Sequence, residues 1–382
     1  MDNRPAWPWI LFAGITLIAF LSLAHPLPNL SAAAISHAVL AVGALPLILA
    51  AMIYFTPTLT RSGPPPRSIL LAPLAALAAG GMAMMAANGS LIWIHPAATL
   101  GIGAALATAL WMGRRAKRCL GAPHPGLRWY QWALGMLLAA LLSMAMAAVW
   151  TEQWQALRSF HLHLNLLGFV GMTAIGTLQV LIPTAGGFSD PDAHRRLALD
   201  WKYALAGSII SAISAGWLRP LSALGLILWA IPLTRMVRGL WRQGGAALWA
   251  SETALLSGAL AGFILMMVAS AMIPLGLVNA DDSLPLFFSA FLFPLVSGAL
   301  GRLLPMWRWP GPSTPARERA LKRLATAGRL RALIFFCAGV MVAMGNPQGI
   351  PLALLGLAWL LLLVLWSLIT PGPTHTDSAE TT

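Results

Sequence analysis

Twelve long apolar runs constrain the fold of this chain more than any other feature. The chain has 382 residues, of which 58% are hydrophobic and only 9% are charged, and a soluble fold of this size cannot bury so much apolar surface. A helix of about 20 apolar residues crosses a bilayer. The sequence therefore predicts an all-α, polytopic membrane bundle of twelve transmembrane helices. The predicted spans are 8–24, 32–57, 68–88, 91–112, 128–150, 157–183, 200–218, 219–241, 248–274, 284–305, 329–345 and 350–370.

The basic residues are concentrated in alternate connections between these spans. Of the 24 Lys and Arg residues, only Arg158 and Arg219 lie in the other set of connections. Because basic loops stay in the cytoplasm, we predict cytoplasmic termini and a multi-pass protein of the bacterial inner membrane. This topology accounts for the net charge of +13 without a nucleic-acid partner. No small-residue cleavage site follows the first span, which we predict to be a retained helix.

Two motifs recur at a common spacing of about 125 residues. The fourth, eighth and twelfth spans begin with P-x-x-x-L-G, and the second, sixth and tenth spans end in a proline preceded at seven residues by a small residue. Because two independent motifs share one period, we predict three pseudo-repeated four-helix units. The P-x-x-x-L-G motifs run from Pro96 to Gly101, Pro220 to Gly225 and Pro351 to Gly356, and the second motif pairs Ala50 with Pro57, Gly176 with Pro183 and Gly298 with Pro305.

The repeat sets the predicted domain organisation. We expect a single membrane domain over residues 1–370, with repeat units of about 1–120, 121–245 and 246–370. The polar residues 371–382 are predicted to form a disordered cytoplasmic tail.

Four histidines are the candidate site residues: His37, His95, His161 and His163. The predicted topology puts all four in the outer half of the membrane, on the second, fourth and sixth spans. Ionisable side chains are costly inside a bilayer and mark candidate functional sites, although one histidine alone is more often a helix–helix contact. Neutral imidazole is a common metal ligand and the usual axial ligand of haem iron. We therefore predict a cofactor site for haem b, copper or both.

The spacing of His161 and His163 predicts that their side chains point in different directions. Residues two apart on a regular α-helix point about 200° from one another, so only one of the two can face a shared site. Asn165 lies four residues after His161, on the same helix face. His163 and His37 each lie twenty residues before the recurring proline, and this equivalence favours His163 as the ligand. The copper prediction rests on His37, His161 and His163.

Methionines in the outer parts of four spans supply a further candidate for copper. Thioether sulfur suits Cu(I), but methionine also fills gaps in apolar packing, and the packing role is the stronger interpretation. The ten residues are Met82, Met84, Met85, Met144, Met146, Met266, Met267, Met272, Met341 and Met344.

The chain resembles subunit I of the haem–copper oxidase superfamily, as a divergent and degenerate relative. Twelve helices in three arcs, cytoplasmic termini and outer-half histidines on the second and sixth helices carry the resemblance. Residues 161–184, "HLHLNLLGFVGMTAIGTLQVLIPT", and residues 298–310 carry it at the level of sequence. There is also an outline similarity to NnrS-like membrane haem/copper proteins.

The resemblance implies a haem-ligand position at His37 and a copper-ligand region at His161 or His163. The tenth span of true oxidases supplies two haem ligands and the seventh supplies copper ligands, whereas residues 284–305 and 200–218 contain no histidine. We therefore expect no terminal-oxidase activity, and a haem at His37 would need His163 or His95 as its partner.

These observations predict an inner-membrane haem- or copper-binding protein that acts in electron transfer, metal handling, or nitrosative or respiratory stress. Its expected partners are the lipid bilayer and respiratory-chain or metal-handling proteins. Two alternatives stay open from the sequence: a transporter without a redox centre, and an assembly or interaction protein for a respiratory complex.

Overall fold

The structure, a computed structural model, describes residues 7–23 and 29–369, and every regular element within these ranges is a helix. Twelve long helices follow one another, as the sequence predicts. They are α1 (Trp7–Leu21), α2 (Ala32–Leu59), α3 (Arg67–Ala87), α4 (Leu91–Lys117), α5 (Gly126–Ala147), α6 (Thr151–Gly186), α7 (Ala193–Gly216), α8 (Arg219–Trp249), α9 (Ala254–Leu275), α10 (Ala280–Arg308), α11 (Pro315–Ala343) and α12 (Gly349–Ile369). His25 and the predicted tail 371–382 lie outside the described residues.

Ten of these helices, all except α1 and α7, are long and apolar enough to cross a membrane. In α1 the apolar part is shorter, at Pro8–Leu21. The first turns of α7 carry the charged sequence "HRRLALDWK", which lowers its mean hydropathy. The chain is therefore a multi-pass helical bundle of the membrane type.

The two largest differences in helix starts, at α7 and α11, arise because polar turns continue the same helices outside the apolar runs. The helix α7 begins at Ala193 rather than at residue 200. The helix α11 begins with an amphipathic segment, Pro315–Leu324, and bends before Gly328–Ala343. Ala327, at the bend, has a left-handed backbone with a φ of 53°.

The chain divides into two compact units. The eight-helix unit comprises Phe12–Thr184 and Phe188–Gly245, and the four-helix unit comprises Met1–Leu11, Ala185–Gly187 and Ala246–Thr382.

The second helix of each repeat contains a π-helical segment. These segments are Ala38–Ala44 in α2, Leu164–Gly171 in α6 and Phe287–Leu292 in α10. In each copy the residue after the segment donates its N–H to the carbonyl five residues earlier. The segments precede the recurring prolines by similar distances, so the repeat has a backbone counterpart.

Proline gives a physical reason for this wide turn in the first and third copies. Pro46 and Pro294 stand at the second position after their π segments. A proline has no N–H and its ring clashes with the carbonyl four residues earlier, and a wider turn relieves both problems. At the equivalent position of the repeat, eleven residues before the recurring proline, the second copy has Met172. It carries two glycines, Gly168 and Gly171, in its π segment.

The P-x-x-x-L-G motifs have one structural role. Each proline lies in the first turn of its helix, where the missing N–H costs no hydrogen bond. Each glycine lies against the third helix of its own repeat, and small residues let membrane helices approach closely. Gly101 faces Ala79, Gly225 faces Gly207 and Ser211, and Gly356 faces Phe335.

Candidate functional site

The structure brings together His37 of α2 and His161 of α6. Their ring centroids are 6.4 Å apart and their planes are inclined by only 16°. Both side chains are half-buried within the eight-helix unit. Each histidine lies just before or close to a π segment, because α2 becomes π-helical at Ala38 and α6 at Leu164.

A backbone carbonyl orients each ring of the pair. The distance from Nδ1 to the accepting oxygen is 2.8 Å both for His37 with Ala33 and for His161 with Ala140 of α5. A carbonyl oxygen only accepts, so Nδ1 carries the proton in both rings. The neutral imidazole then presents the lone pair of Nε2, which is the arrangement found in metal-bound histidines.

Asn165 holds His161 from one helical turn further along α6. Its Nδ2 donates to the His161 carbonyl oxygen at 2.9 Å. The same nitrogen lies 3.4 Å from Nδ1 and 3.2 Å from Nε2 of the ring. Asn165 therefore supports the ring from its own helix and lies within hydrogen-bond distance of Nε2.

His163 points elsewhere from the same α-helical segment, Trp154–His163. Its Nδ1 donates to the Ser159 carbonyl oxygen at 2.9 Å, which repeats the bond from His37 to the carbonyl four residues earlier. His37 and His163 are thus equivalent in the repeat, in hydrogen bonding as well as in position. The residue that lies beside His37 is nevertheless His161.

The pairing joins residues that are not equivalent in the alignment of the two copies. The face of α2 that carries His37 meets the face of α6 that carries His161. His163 is two residues further along the same α-helical segment and points about 200° away from His161. The sequence alignment pairs His37 with His163, but the ring beside His37 is that of His161.

His95 lies in a different environment. It is exposed in the first turn of α4 and lines a shallow groove on α3 and α4 together with small side chains such as Ala72, Thr99 and Gly103. The predicted methionines have no common environment: Met266 is buried, with 5% of its surface exposed, whereas Met344 is 80% exposed.

A copper site with three or more His, Cys, Asp or Glu ligands is not formed by the described residues. Within 7–23 and 29–369, no group of three or more His, Cys, Asp or Glu side chains is placed to hold a metal ion. The structure thus gives the predicted copper ion two imidazoles and no third side chain of these types, and copper binding stays a prediction.

The separation of the two rings would also suit a shared metal ion. Imidazole nitrogens bind metals at about 2 Å. Two imidazoles that held one ion between them would have centroids roughly 6 Å apart, because each ring adds the distance from its nitrogen to its centroid, and the observed distance is 6.4 Å.

A second histidine pair, His124 and His194, provides a contrast. Their ring centroids are 6.0 Å apart and the planes are nearly perpendicular, at 86°. His124 Nδ1 accepts the Gly126 N–H at 3.2 Å, so its neutral ring carries the proton on Nε2. This tautomer presents no free lone pair, and His124 is unsuited to binding a metal through Nε2.

Comparison with known proteins adds no identification: no protein-family model matches the chain, and no curated protein matches it.

Proposed function

We propose that this protein binds a b-type haem between His37 and His161. The observation that carries the proposal is the pair itself, two near-parallel imidazoles from different helices, each with Nδ1 bonded to a carbonyl so that Nε2 carries the lone pair. A haem held by His37 and His161 would supply one-electron redox chemistry at its iron. The proposed role is electron transfer, or a response to nitrosative or respiratory stress, in a membrane protein without terminal-oxidase activity.

Arg158 supports the choice of haem over a bare ion. It is exposed one turn before His161, on the same face of α6. Haem carries two propionates, and arginine pairs with carboxylates in bidentate geometry. Arg158 would hold a propionate at the edge of the membrane, while the apolar macrocycle lies among the helices.

Absorption spectra of the purified full-length protein, oxidised and reduced, test the proposal together with iron and copper analysis. We expect a low-spin haem spectrum and about one iron per chain, both lost in His37→Ala and in His161→Ala. The matched control is His124→Ala, which should leave the spectrum unchanged. It also removes one member of a histidine pair, but His124 carries its proton on Nε2 and so cannot bind a metal through that nitrogen. In His161→Gly, added imidazole should restore the spectrum, which separates ligand loss from misfolding.

Three outcomes would contradict this assignment. Loss of the spectrum in His163→Ala but not in His161→Ala would show that the ligand follows the repeat and not the observed pair. Stoichiometric copper without haem would show that the cofactor is copper and not haem. Protein without either metal, after expression with ample haem and copper, would favour a transporter or an assembly protein.

A further inference from the structure

The amphipathic start of α11 presents a rigid array of cations at the membrane surface. Between residues 315 and 331 the chain carries six basic residues and one acid, Glu318. Ala320 and Leu324 are buried beneath the segment, whereas Arg319, Lys322 and Arg329 are exposed. Arg319 and Lys322 are three residues apart and share one face of the helix. We refer to Arg319, Lys322 and Arg329 as the outward cations.

Local hydrogen bonds fix the beginning of the segment. Thr314 accepts the Arg317 N–H at its side chain, as an N-cap does. Ser313 donates to the Glu318 carboxylate at 3.0 Å, and Arg317 donates to the Gly311 carbonyl oxygen at 2.8 Å. The acid is therefore engaged locally and does not neutralise the outward cations.

A buried arginine fixes the end of the same segment. Arg331 has no exposed surface, and its guanidinium donates to the Leu324 carbonyl oxygen and to Ser297 Oγ of α10. Leu324 is the last residue of the segment, so Arg331 satisfies a carbonyl that the helix end leaves unpaired. With both ends held, Arg319 and Lys322 need little further ordering to bind a ligand, and Arg329 lies just past the bend, two residues before Arg331.

The contact with Trp366 indicates how deep in the membrane the segment lies. Arg323 lies over the Trp366 ring at 5.0 Å, and Trp366 is 49% exposed near the end of α12. Exposed tryptophans of membrane proteins lie at the level of the lipid headgroups. The unbroken apolar part of α11 begins after Arg331. These positions indicate headgroup depth for the segment, where the nearest anions would be lipid phosphates.

We propose that the outward cations bind the headgroups of anionic phospholipids. Each basic residue close to an anionic membrane surface contributes about 1 kcal/mol of attraction, or about a fivefold gain in affinity. This inference depends only on the segment and its position in the membrane, and it holds whether or not the protein binds haem.

The test compares the full-length protein in nanodiscs of phosphatidylcholine with and without phosphatidylglycerol. We expect phosphatidylglycerol to slow hydrogen exchange in residues 315–331 and to remain bound to the protein in native mass spectrometry. The triple variant Arg319→Gln, Lys322→Gln, Arg329→Gln should weaken this retention at least tenfold. The matched control Arg319→Lys, Lys322→Arg, Arg329→Lys keeps all three charges and should retain the lipid.

Two further measurements, at raised salt and with a soluble phosphate ester, test whether the binding is electrostatic and needs a lipid. Retention should fall between 0.1 and 0.5 M salt, because exposed charges are screened, and glycerol phosphate should not reproduce the slower exchange. Equal retention by the glutamine variant and the wild type would overturn the proposal, as would equal protection in both nanodiscs. Unfolding temperatures in pure phosphatidylcholine confirm that the glutamine variant is folded.

Discussion

At the scale of single residues, close packing leaves particular glycines no room for a side chain. Gly80 of α3 lies against the backbone of α2 at Ala41, within the first π segment, and a Cβ at Gly80 would overlap the Ala41 carbonyl group. The next residue, Gly81, has open space at the Cβ position. Two adjacent glycines of one helix therefore have opposite requirements.

This contrast predicts opposite effects of one substitution. Gly80→Ala should push α3 away from the π segment that follows His37, and overpacking of this kind costs about 1–3 kcal/mol or more. Gly81→Ala should be neutral, or stabilising by up to about 1 kcal/mol, because alanine favours a helix. Unfolding temperatures in detergent check both. A Gly80→Ala protein as stable as the wild type would contradict the close approach.

The choice between His161 and His163 shows which features of single residues can be predicted from the sequence. The sequence predicts that the two point apart, since they are two residues apart on a helix, and it identifies the repeat equivalence of His37 and His163. The sequence alone does not predict which face of α6 is turned towards α2, because the packing of the helices sets that orientation. The position of Asn165, four residues after His161, is the local signal in the sequence that could have identified His161 as the histidine with a supporting polar neighbour.

At the scale of elements, the connection before α5 joins three helices through His124. Its backbone N–H donates to the Leu59 carbonyl oxygen at the end of α2 at 2.8 Å, and its ring accepts the N–H of Gly126, the first residue of α5. The ring also meets that of His194 in the first turn of α7. Burial, followed by the nearby His194 and Arg61, lowers the pKa of His124 below its usual 6.5.

This shift predicts a loss of stability in mild acid. The unfolded chain takes up a proton at His124 near pH 6.5, whereas the folded chain takes it up only at lower pH. The contribution of neutral His124 is thus complete above pH 6.5 and is lost as the pH falls through the folded pKa. Unfolding temperatures from pH 8 to pH 5 should fall less steeply for His124→Gln than for the wild type. Parallel curves would exclude His124 as a source of the dependence.

Helix boundaries show which elements the sequence predicts well. The twelve spans follow from apolar length alone, because the bilayer imposes that length on every crossing. The early starts of α7 and α11 do not follow from it, since polar turns at a membrane surface extend a helix without any apolar requirement. The three π segments were also not predicted. Pro46 and Pro294, placed equivalently in the first and third copies, are the signal that could have indicated them.

At the scale of the whole molecule, the repeat and the charge distribution carry different information. The repeat predicts the grouping of the helices in fours, and three equivalent π segments agree with it. The charge distribution predicts which side of the membrane each connection faces. Labelling of single cysteines tests that orientation.

The native cysteines provide that experiment. Cys119 lies in the basic connection between α4 and α5, half-buried, and Cys337 lies in α11. In Cys337→Ser the single remaining thiol, Cys119, should resist a membrane-impermeant maleimide in intact spheroplasts and react after permeabilisation, because basic loops stay in the cytoplasm. The opposite reporter is Asn279→Cys in Cys119→Ser, Cys337→Ser, at an exposed position between α9 and α10. It should react in intact spheroplasts, and the reverse pattern would place His37 and His161 in the inner half of the membrane.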